Sequence, residues 1–187
     1  MQEVLQRRQA ERERRVRQTF GIEASVMLEE DRLVAREVYT DTVAGQIGTV
    51  VVTYGGTVIY TVPLGRAGPM SKLRGVWTCD GHWYLEVADS EGRGRVVRDG
   101  ESLNERYGYE ETFGFQLLHG SPFHFFRREG RIGVVYEGQE MLLGYEFVPH
   151  YGCCSAAALN PVQAENMVAF FAERDGTWYY VEIGAYE

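Results

Sequence analysis

The sequence predicts a mainly β protein, built from antiparallel hairpin repeats and preceded by an N-terminal helical arm. Three observations carry that reading. Aromatic residues make up 13% of the 187-residue chain, which also holds 22 glycines. Apolar runs of strand length recur, separated by Asp-Gly, Glu-Gly and Gly-Gly pairs that suit tight hairpin turns. Only the first twenty residues lack this pattern, being rich in Arg, Glu and Gln with no proline.

Residues 2–19, QEVLQRRQAERERRVRQT, contain no Gly or Pro and are rich in helix formers, so a helix is expected there. Val4, Leu5, Ala10 and Val16 are too few to form a core stripe. The expectation is a charged arm over residues 1–20, with Arg8, Arg12 and Arg15 as candidate assembly residues on a neighbouring copy. A nucleic-acid role is not expected. The whole chain carries a net charge of −8, and Glu3, Glu11 and Glu13 dilute the basic arm.

From residue 21 to 187 the chain reads as one β-rich domain. Ile22, Ala24, Val26 and Leu28 alternate as a strand, Glu29-Glu30-Asp31 breaks it, and Leu33 to Tyr39 returns as a second strand or a short helix. GTVVVTYGGTVIYTVP, residues 48–63, is a hairpin turning at Gly55-Gly56, because adjacent glycines accept the two positive φ angles of a two-residue turn. Residues 66–74 form a loop. About a dozen strands are expected in all, with one break at CCSAAALNPVQAEN, residues 153–166.

Three hairpins look like copies of one unit, near residues 76–87, 123–136 and 167–183. Phe125 to Gly130 aligns with Phe171 to Gly176 at a spacing of 46, and Val76 to Gly81 aligns with Phe125 to Gly130 at 49. On the last strand Thr177, Tyr179, Val181 and Ile183 fall on one face and Trp178, Tyr180 and Glu182 on the other. With large apolar groups on both, burial of both faces is expected.

The copies VWTCDGHWYLEV, FFRREGRIGVVYEGQE and FFAERDGTWYYVEIG resemble β-propeller repeats of the TolB-like kind. The resemblance covers roughly residues 75–184 and implies blade-like antiparallel sheets. Three copies are fewer than such propellers use, so a propeller completed by oligomerisation, a sandwich and a barrel all stand open.

No catalytic signature is evident. His150 lies three residues before Cys153, beside Cys154, which are the residue types of a soft-metal site or a Cys-His nucleophile. The paired spacing of a metal site and the surroundings of a cysteine enzyme are both missing, and three cysteines do not make a disulfide framework. Burial of Cys153 and Cys154 is the expectation, with no metal and no cofactor. Trp77, Trp83 and Trp178 are candidate aromatic platforms for a glycan or small ligand, and Gly108-Tyr109 and Phe113-Gly114-Phe115 weaker ones. Glu110-Glu111 reads as a polar turn. No apolar run reaches the roughly 20 residues of a membrane helix, and no leader is visible, so a cytoplasmic address is expected by default. The leading functional expectation is a non-enzymatic interaction or assembly module partnered by itself or another protein. The alternatives are a glycan or small-ligand binder, and a metal- or thiol-dependent enzyme at His150, Cys153 and Cys154.

Overall fold

The computed structural model describes residues 18–68, 70–151 and 160–184. These form four antiparallel sheets that follow one another along the chain. The first contains β1 (Gln18–Leu28), β2 (Asp31–Thr42), β3 (Gly45–Tyr54) and β4 (Thr57–Arg66). The second contains β5 (Leu73–Cys79), β6 (His82–Ala88), β7 (Gly94–Arg98) and β8 (Glu101–Ser102). A short helix α1 (Leu103–Tyr107), capped by the Ser102 hydroxyl and ended by Gly108 at φ 69°, leads to the third sheet. That sheet contains β9 (Glu111–Leu118), β10 (Ser121–Arg128), β11 (Arg131–Tyr136) and β12 (Gln139–Tyr145). The fourth contains β13 (Val162–Gln163), β14 (Met167–Arg174) and β15 (Thr177–Gly184).

Tight turns make this simple meander possible. Gly55 and Gly56 stand at φ 54° and 82°, so the expected hairpin joins β3 to β4. Elsewhere an acidic residue and a glycine turn the chain together. Asp80-Gly81, Asp99-Gly100, Glu129-Gly130, Glu137-Gly138 and Asp175-Gly176 all have positive φ at both positions. Residues 33–39 belong to a strand rather than a helix. Of the predicted arm, residues 1–17 lie outside the described residues, with Arg8, Arg12 and Arg15 among them, and residues 18–20 belong to β1.

The sheets pack face to face in chain order, and strand alternation assigns the two faces of each sheet to different neighbours. Leu33, Ala35, Val50 and Val52 of the first sheet meet Trp83, Leu85 and Val87 of the second. Tyr84 and Val96, on the opposite face of the second sheet, meet Phe115 of the third. Phe123, Phe125, Ile132 and Val134 of the third meet Val168, Phe170 and Ala172 of the fourth. Among the described residues, each core cluster therefore joins two consecutive sheets.

The spacing of 46 relates equivalent strands. Phe125 pairs with Val134 and Phe171 with Tyr180, at matched distances from matched turns. The spacing of 49 does not: residues 76–87 are the first two strands of the second sheet, whereas residues 123–136 are the middle pair of the third. Turn chemistry alone creates that likeness. An acidic-Gly pair between apolar runs serves any hairpin, whatever its place in a sheet.

Candidate functional site

Burial of both faces of β15 is not what the structure shows. Val181 and Ile183 pack against the third sheet, but Trp178 is 52% exposed and Tyr180 59%. Phe171, on β14 opposite Tyr180, is 48% exposed, and Phe147 and Val162 extend the same apolar surface. The rings touch one another. Phe171 and Tyr180 have centroids 5.5 Å apart, and Phe147 meets Trp178 edge-on at 6.3 Å. Isolated exposed apolar residues are ordinary on protein surfaces, whereas here four exposed rings gather in two touching pairs on one side of the fourth sheet.

The spacing of 46 says what this face is. It maps Phe125, Ile132 and Val134 onto Phe171, Trp178 and Tyr180. In the third sheet those three residues form the face on which the fourth sheet sits. The fourth sheet thus presents outward the face that the preceding sheet uses to receive its neighbour. Glu173 and Glu182 also lie on it.

At the other end of the stack, the outer face of the first sheet carries Met27, Val34, Val51 and Val58, interleaved with Arg32 and Arg36. Met27 and Val58 are exposed; Val34 and Val51 are half-buried. Arg36 is bonded to Glu23, and Arg32 donates to the Ser25 hydroxyl at 2.6 Å. One end face is aromatic with carboxylates, the other aliphatic with guanidinium groups.

The three tryptophans are not one platform, because each belongs to a different layer. Trp83 is buried between the first and second sheets, packed on Tyr60 at 5.8 Å. Trp77 is half-buried against Phe115 at 5.0 Å, between the second and third. Trp178 alone lies on an outer face.

His150 sits at the boundary between the second and third sheets. Its Nε2 is 2.9 Å from Glu111 Oε1, its Nδ1 is 2.7 Å from the Val148 carbonyl, and its ring stacks on Phe113 at 3.7 Å. Both ring nitrogens face oxygen partners, which is how a packed histidine is held rather than a metal ligand with a free nitrogen. Among the described residues no group of three or more His, Cys, Asp or Glu is placed to hold a metal ion. Cys153 and Cys154 lie outside the described residues. No described helix is long and apolar enough to cross a membrane.

Three buried carboxylates that sequence reasoning missed fasten the boundaries. Glu37 of β2 accepts from the Ser71 hydroxyl and from the Lys72 and Leu73 amides where the second sheet begins. Glu86 of β6 accepts from the Gly114 and Phe115 amides of the third sheet at 2.9 and 2.6 Å and from the Tyr151 hydroxyl. Burial pushes the Glu86 carboxyl above its usual range, although those three donors oppose the shift. Glu111, expected in a polar turn, begins β9, is buried and accepts from the Gly94 amide of β7 at 2.8 Å. Burial alone would raise its carboxyl, but His150, the Gly94 amide and Arg127 together hold it below the usual range. Glu86 had a readable signal: it is the one charged residue in an otherwise apolar strand, WYLEVA.

Compared with protein-family models, with curated proteins and with solved structures, the chain shows no significant match.

Proposed function

We propose that this chain is a self-associating assembly module, in which the outer face of the fourth sheet of one copy docks on the outer face of the first sheet of another. One observation carries the reading: Phe171, Trp178 and Tyr180 are the repeat equivalents of Phe125, Ile132 and Val134, which receive the next sheet within the chain. A second copy continues the same stacking. Charge favours the head-to-tail pairing, because Glu173 and Glu182 lie on one face and Arg32, which meets only the Ser25 hydroxyl among the described residues, lies on the other. Such a contact joins unlike surfaces, so it closes into a ring when the rotation per copy allows. The TolB-like resemblance fits here, since two copies of a four-sheet chain supply eight blade-like sheets.

The test uses two blocked chains. Phe171→Lys with Trp178→Lys blocks the fourth-sheet face, and Met27→Glu with Val58→Lys blocks the first-sheet face. Each variant alone sediments as a monomer, and their mixture forms a heterodimer through the remaining intact pair of faces. A mixture that stays monomeric, or a first-sheet variant that assembles like the wild type, overturns the head-to-tail arrangement.

A further inference from the structure

A cleft of about 510 Å³ opens between the second and third sheets, away from both end faces. That is a common size for a small-molecule site. Its walls are Tyr84, Tyr107 and Tyr109, and its mouth is set by two hairpin turns, Asp80-Gly81 and Glu137-Gly138. His124 also lines it. The imidazole is only 5% exposed, and neither ring nitrogen has a hydrogen-bond partner among the described residues. A buried imidazole with two idle nitrogens costs stability wherever nothing answers them. The fourth sheet shows the alternative, because the equivalent position there is Phe170, which packs without polar atoms.

The charges in the cleft are unevenly answered. Glu140 is held by Arg128 at 2.7 Å and receives the Tyr109 hydroxyl at 2.6 Å. Arg98 lies 3.8 Å from Asp99, which also meets His82 and accepts from the Trp83 amide at 3.0 Å. Asp80 and Glu137 have no cationic partner among the described residues, and Glu137 is met by the Ser121 hydroxyl at 3.4 Å. The site therefore offers two carboxylates at the mouth, an imidazole at the floor and aromatic rings between them. Carboxylates accept hydrogen bonds from an ammonium group. The tyrosine faces already carry guanidinium groups, Arg98 over Tyr84 at 5.8 Å, Arg106 over Tyr107 at 5.4 Å and Arg128 over Tyr109 at 4.9 Å, so the rings serve as apolar walls.

We infer that the cleft binds a small organic amine, whose ammonium group is received by Asp80 and Glu137 and whose far end reaches His124. A second polar group at that far end, an amine or a hydroxyl, pairs with the imidazole. The inference is independent of the assembly reading, because the cleft and the end faces belong to different layers.

Isothermal titration of the full chain with 1,4-diaminobutane, set beside 1,4-butanediol and methyl glucoside, tests it. The diamine binds, its affinity weakens as salt is raised, and the two neutral probes bind at least tenfold more weakly. The double variant Asp80→Asn, Glu137→Gln keeps the turn geometry, since Asn tolerates positive φ, and lowers diamine affinity at least tenfold with an unchanged melting temperature. Tighter binding of the glucoside or the diol overturns the ligand class. Diamine binding that survives the double variant overturns the site, and absence of diamine binding overturns the inference as a whole.

Discussion

Phe125 of the third sheet meets Phe170 of the fourth edge to face, with ring centroids 4.9 Å apart. The next residue, Phe171, is the repeat equivalent of Phe125, yet it points the other way, out of the stack. Adjacent residues of a strand face opposite sides, so each sheet has one face for the sheet before it and one for the sheet after. The fourth sheet leaves an aromatic face outward, with Phe171, Trp178 and Tyr180 exposed on it.

The two equivalent phenylalanines should therefore differ in their effect on stability. Phe125→Ala removes a fully buried ring and is expected to cost about 3–5 kcal/mol. Phe171→Ser, measured in dilute protein, is expected to change stability by no more than about 0.5 kcal/mol. Urea unfolding of both variants checks this, and equal losses would contradict the assignment of faces.

Glu86 makes the boundary between the second and third sheets sensitive to a single side chain. Glu86→Ala leaves the buried Gly114 and Phe115 amides unpaired and is expected to cost about 3 kcal/mol. Glu86→Gln keeps an acceptor oxygen and costs less. Because burial raises the folded pKa of Glu86, its contribution is full below the ordinary carboxylate range and is lost as pH rises through the folded pKa. The stability of the Gln variant relative to the wild type should therefore improve across that interval. Denaturant midpoints at several pH values read the difference.

Gly94 is fixed by space rather than by backbone angle. A Cβ there would lie 2.3 Å from the Thr112 carbonyl oxygen and 2.9 Å from the Phe113 Cβ. Gly94→Ala must push the second and third sheets apart and is expected to cost about 1–3 kcal/mol. Gly68→Ala, where nothing lies within 4 Å, should be close to neutral and serves as the control in the same thermal melts.

His124 sets an acid limit. Burial pushes its imidazole down to about 4 from the ordinary 6.5, and Glu140, the carboxylate that acts on it, only partly offsets this. A depressed folded pKa contributes stability that is present above pH 6.5 and is lost as pH falls toward 4, about 3 kcal/mol across the interval. His124→Phe copies Phe170 of the next sheet and should flatten the acid limb of the stability curve. An unchanged acid limb would show that other groups set it.

Much of this fold is legible in local sequence, and the reason is physical. Gly55-Gly56 and the acidic-Gly pairs announce their turns because few residues tolerate positive φ. Periodicity of two then places the strands between them. Which face meets which neighbour is less legible. TWYYVEI carries large apolar groups on both sides, and only the packing shows that Val181 and Ile183 face inward while Trp178 and Tyr180 do not. The spacing of 49 misleads for a related reason, since turn chemistry repeats even where strand position does not. Glu111 reads as a turn residue because the adjacent Glu110 is exposed, and sequence alone does not say which of two neighbouring carboxylates turns in to meet Gly94 and His150. The cleft as a whole is not legible, because its residues are scattered over two sheets and the short helix. Tryptophans draw attention, but tyrosines line it, and the apolar run PFHFF does not say that His124 would be buried at the cleft without a partner.

The most direct test of the proposed head-to-tail assembly is the mass of the wild-type chain by sedimentation velocity across a dilution series, run beside Phe171→Lys with Trp178→Lys. A concentration-dependent dimer of the wild type, with a folded monomer for the variant at every concentration, is the expected result. A wild-type chain that remains a monomer throughout, or a variant that associates as strongly, would contradict it.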